Sequence, residues 1–140
     1  FKQKTAYEIS ACLVGSEMCI RDRYYIMIKE QITYNDFDKV DIRIGTVISV
    51  KKNEKARKPS LVVEVDFGSE IGIKQSSAQI THYYNEENLK GKQVIAVCNF
   101  PEKNIAGIVS QVLVLGAIDA DGKVTLVHPS QKAENGLPIA

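Results

Sequence analysis

Short β-patterned runs, each cut off by a turn before it reaches the length of a typical helix, constrain this chain more than any other feature. Residues 41–50 alternate apolar and polar side chains, which predicts a half-buried strand. Its period of two sets Ile42, Ile44, Thr46, Ile48 and Val50 on one face and Arg43, Gly45, Val47 and Ser49 on the other. Gly45 inside such a run predicts a bulge or a tight bend. Residues 61–67 and 71–75 read as the second and third strands, joined through Gly68-Ser69-Glu70 as a hairpin. Residues 93–99 and 110–115 supply a fourth and a fifth strand. Between the third and fourth, Ser76 or Ser77 is expected to cap a short helix over 78–88, with Gly91 closing the segment. Residues 36–40 read as a short turn or helical lead-in and 101–107 as a loop. Ala120-Asp121-Gly122-Lys123 turns into a last strand over 124–127, and residues 129–138 form an irregular tail with a turn at Asn135-Gly136.

Five strands with one short helix between the third and fourth is the order of an all-β, five-stranded oligonucleotide-binding barrel, here with short terminal extensions. Such barrels hold single-stranded nucleic acid, sugars or other extended ligands on the face of strands two and three and the adjoining loops. Fold alone does not give function. Residues 74–79 (Lys-Gln-Ser-Ser-Ala-Gln) fall at the edge of that face and are polar where a core would be apolar. They contain no carboxylate, cysteine or histidine, so they suit binding better than chemistry.

The first residues carry a different signal. Residues 2–9 and 13–22 correspond to translated sequencing adapter, the second being a reading of CTC GTG GGC TCG GAG ATG TGT ATA AGA GAC. Ser10, Ala11 and Cys12 between them fit an in-frame barcode. A secretory signal would need a longer apolar stretch than residues 12–20, which Gly15, Ser16 and Glu17 interrupt. Residues 1–26 are therefore expected to be a non-native, disordered leader with read-through, and residues 27–140 a single native domain starting at Met27.

Four of the 18 basic and three of the 17 acidic residues precede Met27, so the charges balance at 14 each from there on. Bulk charge then makes no case for nucleic acid. The apolar runs are too short to span a bilayer, so no membrane association is expected. Cys98 is the one cysteine after the leader, set in the apolar run 94–98, where core packing explains it and a reducing compartment suits it. His82 and His128 lack metal-ligand spacing, and there is no glycine-rich phosphate loop, acid pair or serine triad. No metal, cofactor or catalytic residue is expected.

Several segments in order resemble the CsaA family, small bacterial proteins related to the tRNA-binding domain appended to methionyl-tRNA synthetases. They are 38–46 (DKVDIRIGT), 56–59 (ARKP), 66–68 (DFG), 71–80 (IGIKQSSAQI), 93–101 (QVIAVCNFP), 105–107 (IAG), 110–116 (SQVLVLG) and Asn135-Gly136. The resemblance covers nearly all of residues 36–140. It implies a cytoplasmic homodimer that binds tRNA without acting on it. The alternative it implies is a protein-export chaperone that binds unfolded polypeptides. The chain departs from the family at two points. Two basic residues often follow the asparagine-phenylalanine-proline motif, where this chain has Lys103 and Asn104, and a usual glutamate is Gln111.

The resemblance also selects candidate RNA contacts. Lys51, Lys52, Lys55, Arg57 and Lys58 face one anion, Glu54, within one loop. Arg57 and Lys58, inside the family motif, are expected on phosphate, while a solvated loop tip explains Lys51 and Lys52 equally well. Lys74, Ser76, Ser77 and Gln79 suit phosphate and ribose hydroxyls, with one serine capping the helix and the other facing ligand. Arg43 and Asn99 occupy motif positions; Asn99 suits a base edge or 2′-hydroxyl, and equally a satisfied turn. Lys103 and Ser110 flank the 101–107 loop and are expected to line the same site. Phe100 suits base stacking or, more simply, core packing.

Overall fold

The computed structural model describes residues 28–140; the expected leader lies outside them. Thr33 caps a first short helix, α1 (Tyr34–Asp38): its side chain accepts from the Asp36 N–H, and the Asp36 carboxylate accepts from the Thr33 N–H. Strand β1 (Ile42–Lys52) then pairs with β2 (Leu61–Asp66), which pairs with β3 (Ile73–Ala78), all antiparallel. Helix α2 (Glu86–Leu89) precedes β4 (Gln93–Val97), which returns to the other edge of β1. Strands β5 (Lys103–Ile105) and β6 (Ile108–Ser110) form a hairpin, β7 (Leu113–Val114) adds to β4, and β8 (Gly116–Ile118) pairs with β9 (Val124–Leu126).

The main sheet runs β3-β2-β1-β4-β7. Its open edge is bridged where the Gln111 N–H donates to the Gln75 carbonyl at 2.8 Å and the Gln75 N–H to Gln111 Oε1 at 3.1 Å. The result is the expected all-β, nearly closed five-stranded barrel with a short helix between its third and fourth strands. Val47, Val63, Val65, Phe67, Val94 and Ala96 fill its interior and are at most 1% exposed. Ile80 and Leu89 pin the β3–β4 crossover to that core. The Tyr84 hydroxyl accepts from the Leu126 N–H at 2.9 Å, fastening the same crossover to β9.

Three expectations need correction. The faces of β1 are not those of a continuous alternation, because the register shifts between Val47 and Ser49 and leaves Ile48 unpaired and exposed. A bulge of this kind reverses which residues face inward. Gly45 and Val47 face the core in the first half of the strand, and Val50 does in the second. Gly45 is thus not the bulge. A Cβ there would lie 2.8 Å from Phe67 Cδ1, so glycine is needed for side chains of the neighbouring strand to cross it. Ile44 and Thr46 are covered instead by the C-terminal tail: the Gly136 N–H donates to the Ile44 carbonyl at 2.7 Å, and Thr46 Oγ1 to Asn135 Oδ1 at 2.7 Å.

Ser76 and Ser77 do not cap a helix. They lie inside β3, opposite Val63 and Val62, and the cap is Asn85, whose side chain accepts from the Glu87 and Asn88 N–H groups. The helix expected over 78–88 is a single turn. Serine's local preference for caps yields to a ladder in which β2 satisfies the backbone of residues 73–78. The expected 101–107 loop contains β5, and the expected fifth strand is split between β6 and β7.

Candidate nucleic-acid interface

Three segments converge on one side of the barrel: the loop 53–60 between β1 and β2, the end of β3, and the β5–β6 hairpin. The loop is closed at its root by the Asn53 N–H donating to the Ser60 carbonyl at 3.0 Å, and Asn53 Oδ1 accepts from the Lys55 N–H at 3.2 Å. That tight base turns the charged side chains outward, and Lys51, Lys52, Lys55, Arg57 and Lys58 are all exposed. Among the described residues the ion pair is Arg43 with Asp41, so these five carry uncompensated charge.

The hairpin turns through Ala106 (φ 51°) and Gly107 (φ 84°), two successive left-handed residues of the kind that match strand twist in a two-residue turn. Asn104 Oδ1 accepts from the Gly107 N–H at 3.0 Å and fixes that turn. Between the hairpin, the loop and β3 lies a groove of about 310 Å³. Arg57, Lys58, Ser77 and Gln79 border it, and Ala56, Ile105 and Ala106 supply apolar wall.

The junction behind the groove is hydrogen-bonded throughout. The Ser77 N–H donates to Ser110 Oγ at 3.3 Å, and Ser110 Oγ lies 3.4 Å from Ser76 Oγ. Ser76 is 2% exposed, so its hydroxyl lies inside the barrel and holds Ser110 from within. Lys103 pairs across the hairpin with Ser110. Gln111 Nε2 donates to Glu102 Oε2 at 3.0 Å. A glutamate at this position would set two carboxylates against each other, so the departure at Gln111 is matched by its neighbour.

Of the ten residues expected from sequence, four border the groove, and Ser76, Ser110 and Lys103 form the junction beside it. Arg43, Lys74 and Asn99 lie apart from it. Arg43 Nε donates to Asp41 Oδ1 at 2.6 Å and Nη1 to the Gly136 carbonyl at 3.0 Å, tying β1 to the tail. The Asp41 hydrogen bond pushes the guanidinium pKa further up, so the group stays charged. Asn99 accepts from the Asp41 N–H at 3.0 Å and donates to the Lys39 carbonyl at 2.7 Å. Lys74 is opposite Val65, and its charge together with that of Arg43 acts on Cys98. Burial and, after it, the Asp41 charge push the Cys98 thiol from its ordinary 9.0 up to about 11 against those two cations. Phe100 is exposed. Sequence reasoning missed Ser60, which lines the groove, and Asn53, which lines a neighbouring hollow of about 200 Å³. Hydropathy gives no signal for either, since both read as ordinary loop residues.

The chemistry available is recognition by cations, hydroxyls and amides. Among the described residues no cluster of histidine, cysteine or carboxylates is set to hold a metal, and no helix is long and apolar enough to cross a membrane. Residues 42–138 match the family described as "Putative tRNA binding domain". The chain belongs to that family. It is a CsaA-like tRNA-binding-domain protein: it is 47% identical to chaperone CsaA of Bacillus anthracis, with a TM-score of 0.76 over 79% of this chain and all of that one. A CsaA chaperone protein from Picrophilus torridus is 50% identical, with a TM-score of 0.73 and the same coverage. Among curated relatives, the methionine–tRNA ligase of Chlorobium limicola is 38% identical over 111 residues, which are 79% of this chain and 15% of that one. The chain thus spans about a seventh of the length of the ligases it matches.

Proposed function

We propose that this chain is a noncatalytic tRNA-binding protein that grips RNA through the groove between the 53–60 loop, β3 and the β5–β6 hairpin. The observation that carries this reading is the convergence of Arg57, Lys58, Ser77 and Gln79, distant in sequence, on one concave site beside three further unpaired lysines. Cations at the rim meet phosphate, and the hydroxyl and amide groups meet ribose or base. Membership of the tRNA-binding-domain family supports the same ligand. Arg43, Lys74 and Asn99 act in this reading as supports of the barrel end, not as first contacts.

The native protein begins at Met27, works in the cytoplasm and pairs as a homodimer. Exposed Ile28, Ile32 and Tyr34 give the N-terminal segment apolar surface to bury against a second copy. A monomer mass by light scattering at micromolar concentration overturns the dimer. A second reading, a chaperone for unfolded polypeptides, is favoured by the titles of the solved CsaA relatives and by exposed Ile73, Val109 and Leu113. Titration with bulk tRNA at increasing salt separates the two. RNA binding weakens steeply with salt, whereas salt-insensitive capture of an unfolded protein with no tRNA shift selects the chaperone.

A further inference from the structure

Two buried polar atoms at the root of the basic loop have no hydrogen-bond partner among the described residues: Ser60 Oγ and Asn53 Nδ2. Ser60 is 5% exposed and Asn53 9%. An unpaired buried polar group is destabilising, and native proteins satisfy nearly all of them, so two in one loop root need a reason. Both line concave surface. Ser60 lines the groove bordered by Arg57 and Lys58, and Asn53 the smaller hollow bordered by Lys51, Lys52 and Gln75. The backbone hydrogen bond between Asn53 and Ser60 holds the two residues side by side.

We propose that the groove is a subsite for one unpaired RNA nucleotide, and that Ser60 Oγ is the group that meets its base. This rests on the RNA-binding reading and specifies the form of RNA. The base lies against Ala56, Ile105 and Ala106, and its edge reaches the Ser60 hydroxyl beneath them. Arg57 and Lys58 at the rim take the flanking phosphate. Asn53 Nδ2 donates to an acceptor on the adjoining nucleotide, whose phosphate lies by Lys51 and Lys52. A site of about 310 Å³ admits one flat base and excludes a duplex. In paired RNA the base edges are engaged and stacked, and proteins reach bases chiefly in loops, bulges and ends. A serine hydroxyl both donates and accepts, so the subsite tolerates several bases. What it selects is an unstacked nucleotide.

The test compares a labelled single-stranded RNA of about ten nucleotides, an unstacked ligand of the kind this site takes, with its fully paired duplex. Binding of each is measured for wild type, Ser60→Ala, Ala56→Leu and Arg57→Ala. Wild type prefers the single strand. Ser60→Ala weakens single-strand binding about five- to tenfold, the loss of one hydrogen bond, and leaves duplex binding unchanged. Its melting temperature stays level or rises, because an unpaired buried hydroxyl has been removed. Ala56→Leu fills the groove from its wall and weakens the single strand likewise. Single-strand binding by Ser60→Ala at wild-type affinity overturns the subsite, as does an equal loss for duplex or a lowered melting temperature. If Arg57→Ala still weakens RNA binding in that case, the phosphate grip stands alone. If neither variant weakens it, the RNA-binding reading falls too.

Discussion

Replacing Arg57 and Lys58 together by alanine should change the salt dependence of RNA binding by an amount that follows from the loop's charge. Each phosphate neutralised on a single strand adds about −0.7 to the slope of log affinity against log salt. Lys51, Lys52, Lys55, Arg57 and Lys58 are exposed and, among the described residues, unpaired. If all of them engage phosphate, the slope is about −3.5, and the double variant's is about −2.1. Between 50 and 200 mM salt, wild type then loses about 130-fold in affinity and the variant about 18-fold. The gap between the two proteins therefore narrows about sevenfold as salt rises. The wild-type slope also counts the participants, falling to about −2.1 if Lys51 and Lys52 are only a solvated loop tip. The assay is fluorescence anisotropy with a labelled single-stranded oligonucleotide at four salt concentrations, beside a thermal melt. Both side chains lie outside the strand ladders, so the melt should not move. Equal slopes for wild type and variant would refute phosphate contact by this pair, even if the variant bound less tightly at every salt.

The remaining predictions separate binding from support. Ser77→Ala should weaken tRNA binding about fivefold, one hydrogen bond's worth, whereas Ser76→Ala should lower the melting temperature more than the affinity; the reverse pattern in paired melts and titrations would mean the faces of β3 are assigned backwards. Gly45→Ala should cost about 1–3 kcal/mol through overpacking against Val65 and Phe67, a fall of several degrees in a thermal melt, and an unchanged melt would show that those side chains do not cross the strand. Cys98, with its thiol pKa raised from 9.0 to about 11, should be alkylated near pH 8 about a hundredfold more slowly than an unperturbed thiol. The buried thiol's contribution to stability is complete below pH 9 and is lost as pH rises toward 11, so alkylation at the rate of a free thiol, or a melt flat across that window, would contradict the burial.

The order of the barrel was legible because it is written in where the apolar runs stop. Each run in 41–115 ends in glycine, proline or charge, and each became at least part of a strand. The faces of β1 were not legible. One unpaired residue at Ile48 inverts the pattern, and nothing in Val47-Ile48-Ser49 distinguishes a bulge from a continuous strand. Ser76 and Ser77 misled for a related reason. Their local chemistry favours a cap, while the partners that hold them in a strand, Val63 and Val62, come from the preceding hairpin arm. The basic half of the groove could be read from composition. Its other wall could not, since Lys103 and Asn104 look like polar loop and alanine at 106 gives no warning of a positive φ.

A chain whose charges cancel from Met27 onward cannot draw in a polyanion by its overall field. Recognition then has to be local, and the arrangement of acids limits where a phosphate backbone can lie. Glu64 stands on the same outer face as Gln75 and lines the hollow beside Lys51 and Lys52, and Glu102 is held at the hairpin by Gln111. A strand crossing the face of β2 and β3 is repelled by both, while one that follows the loop meets five cations and neither acid at its centre. Following the loop also brings its bases over Ala56, Ile105 and Ala106, where Ser60 waits unpaired. Charge thus sets the path of the backbone and the unsatisfied hydroxyl sets the depth of the base. Neither would suffice alone: the cations without the groove would hold any polyanion, and the groove without the cations would have nothing to hold a nucleotide at its mouth.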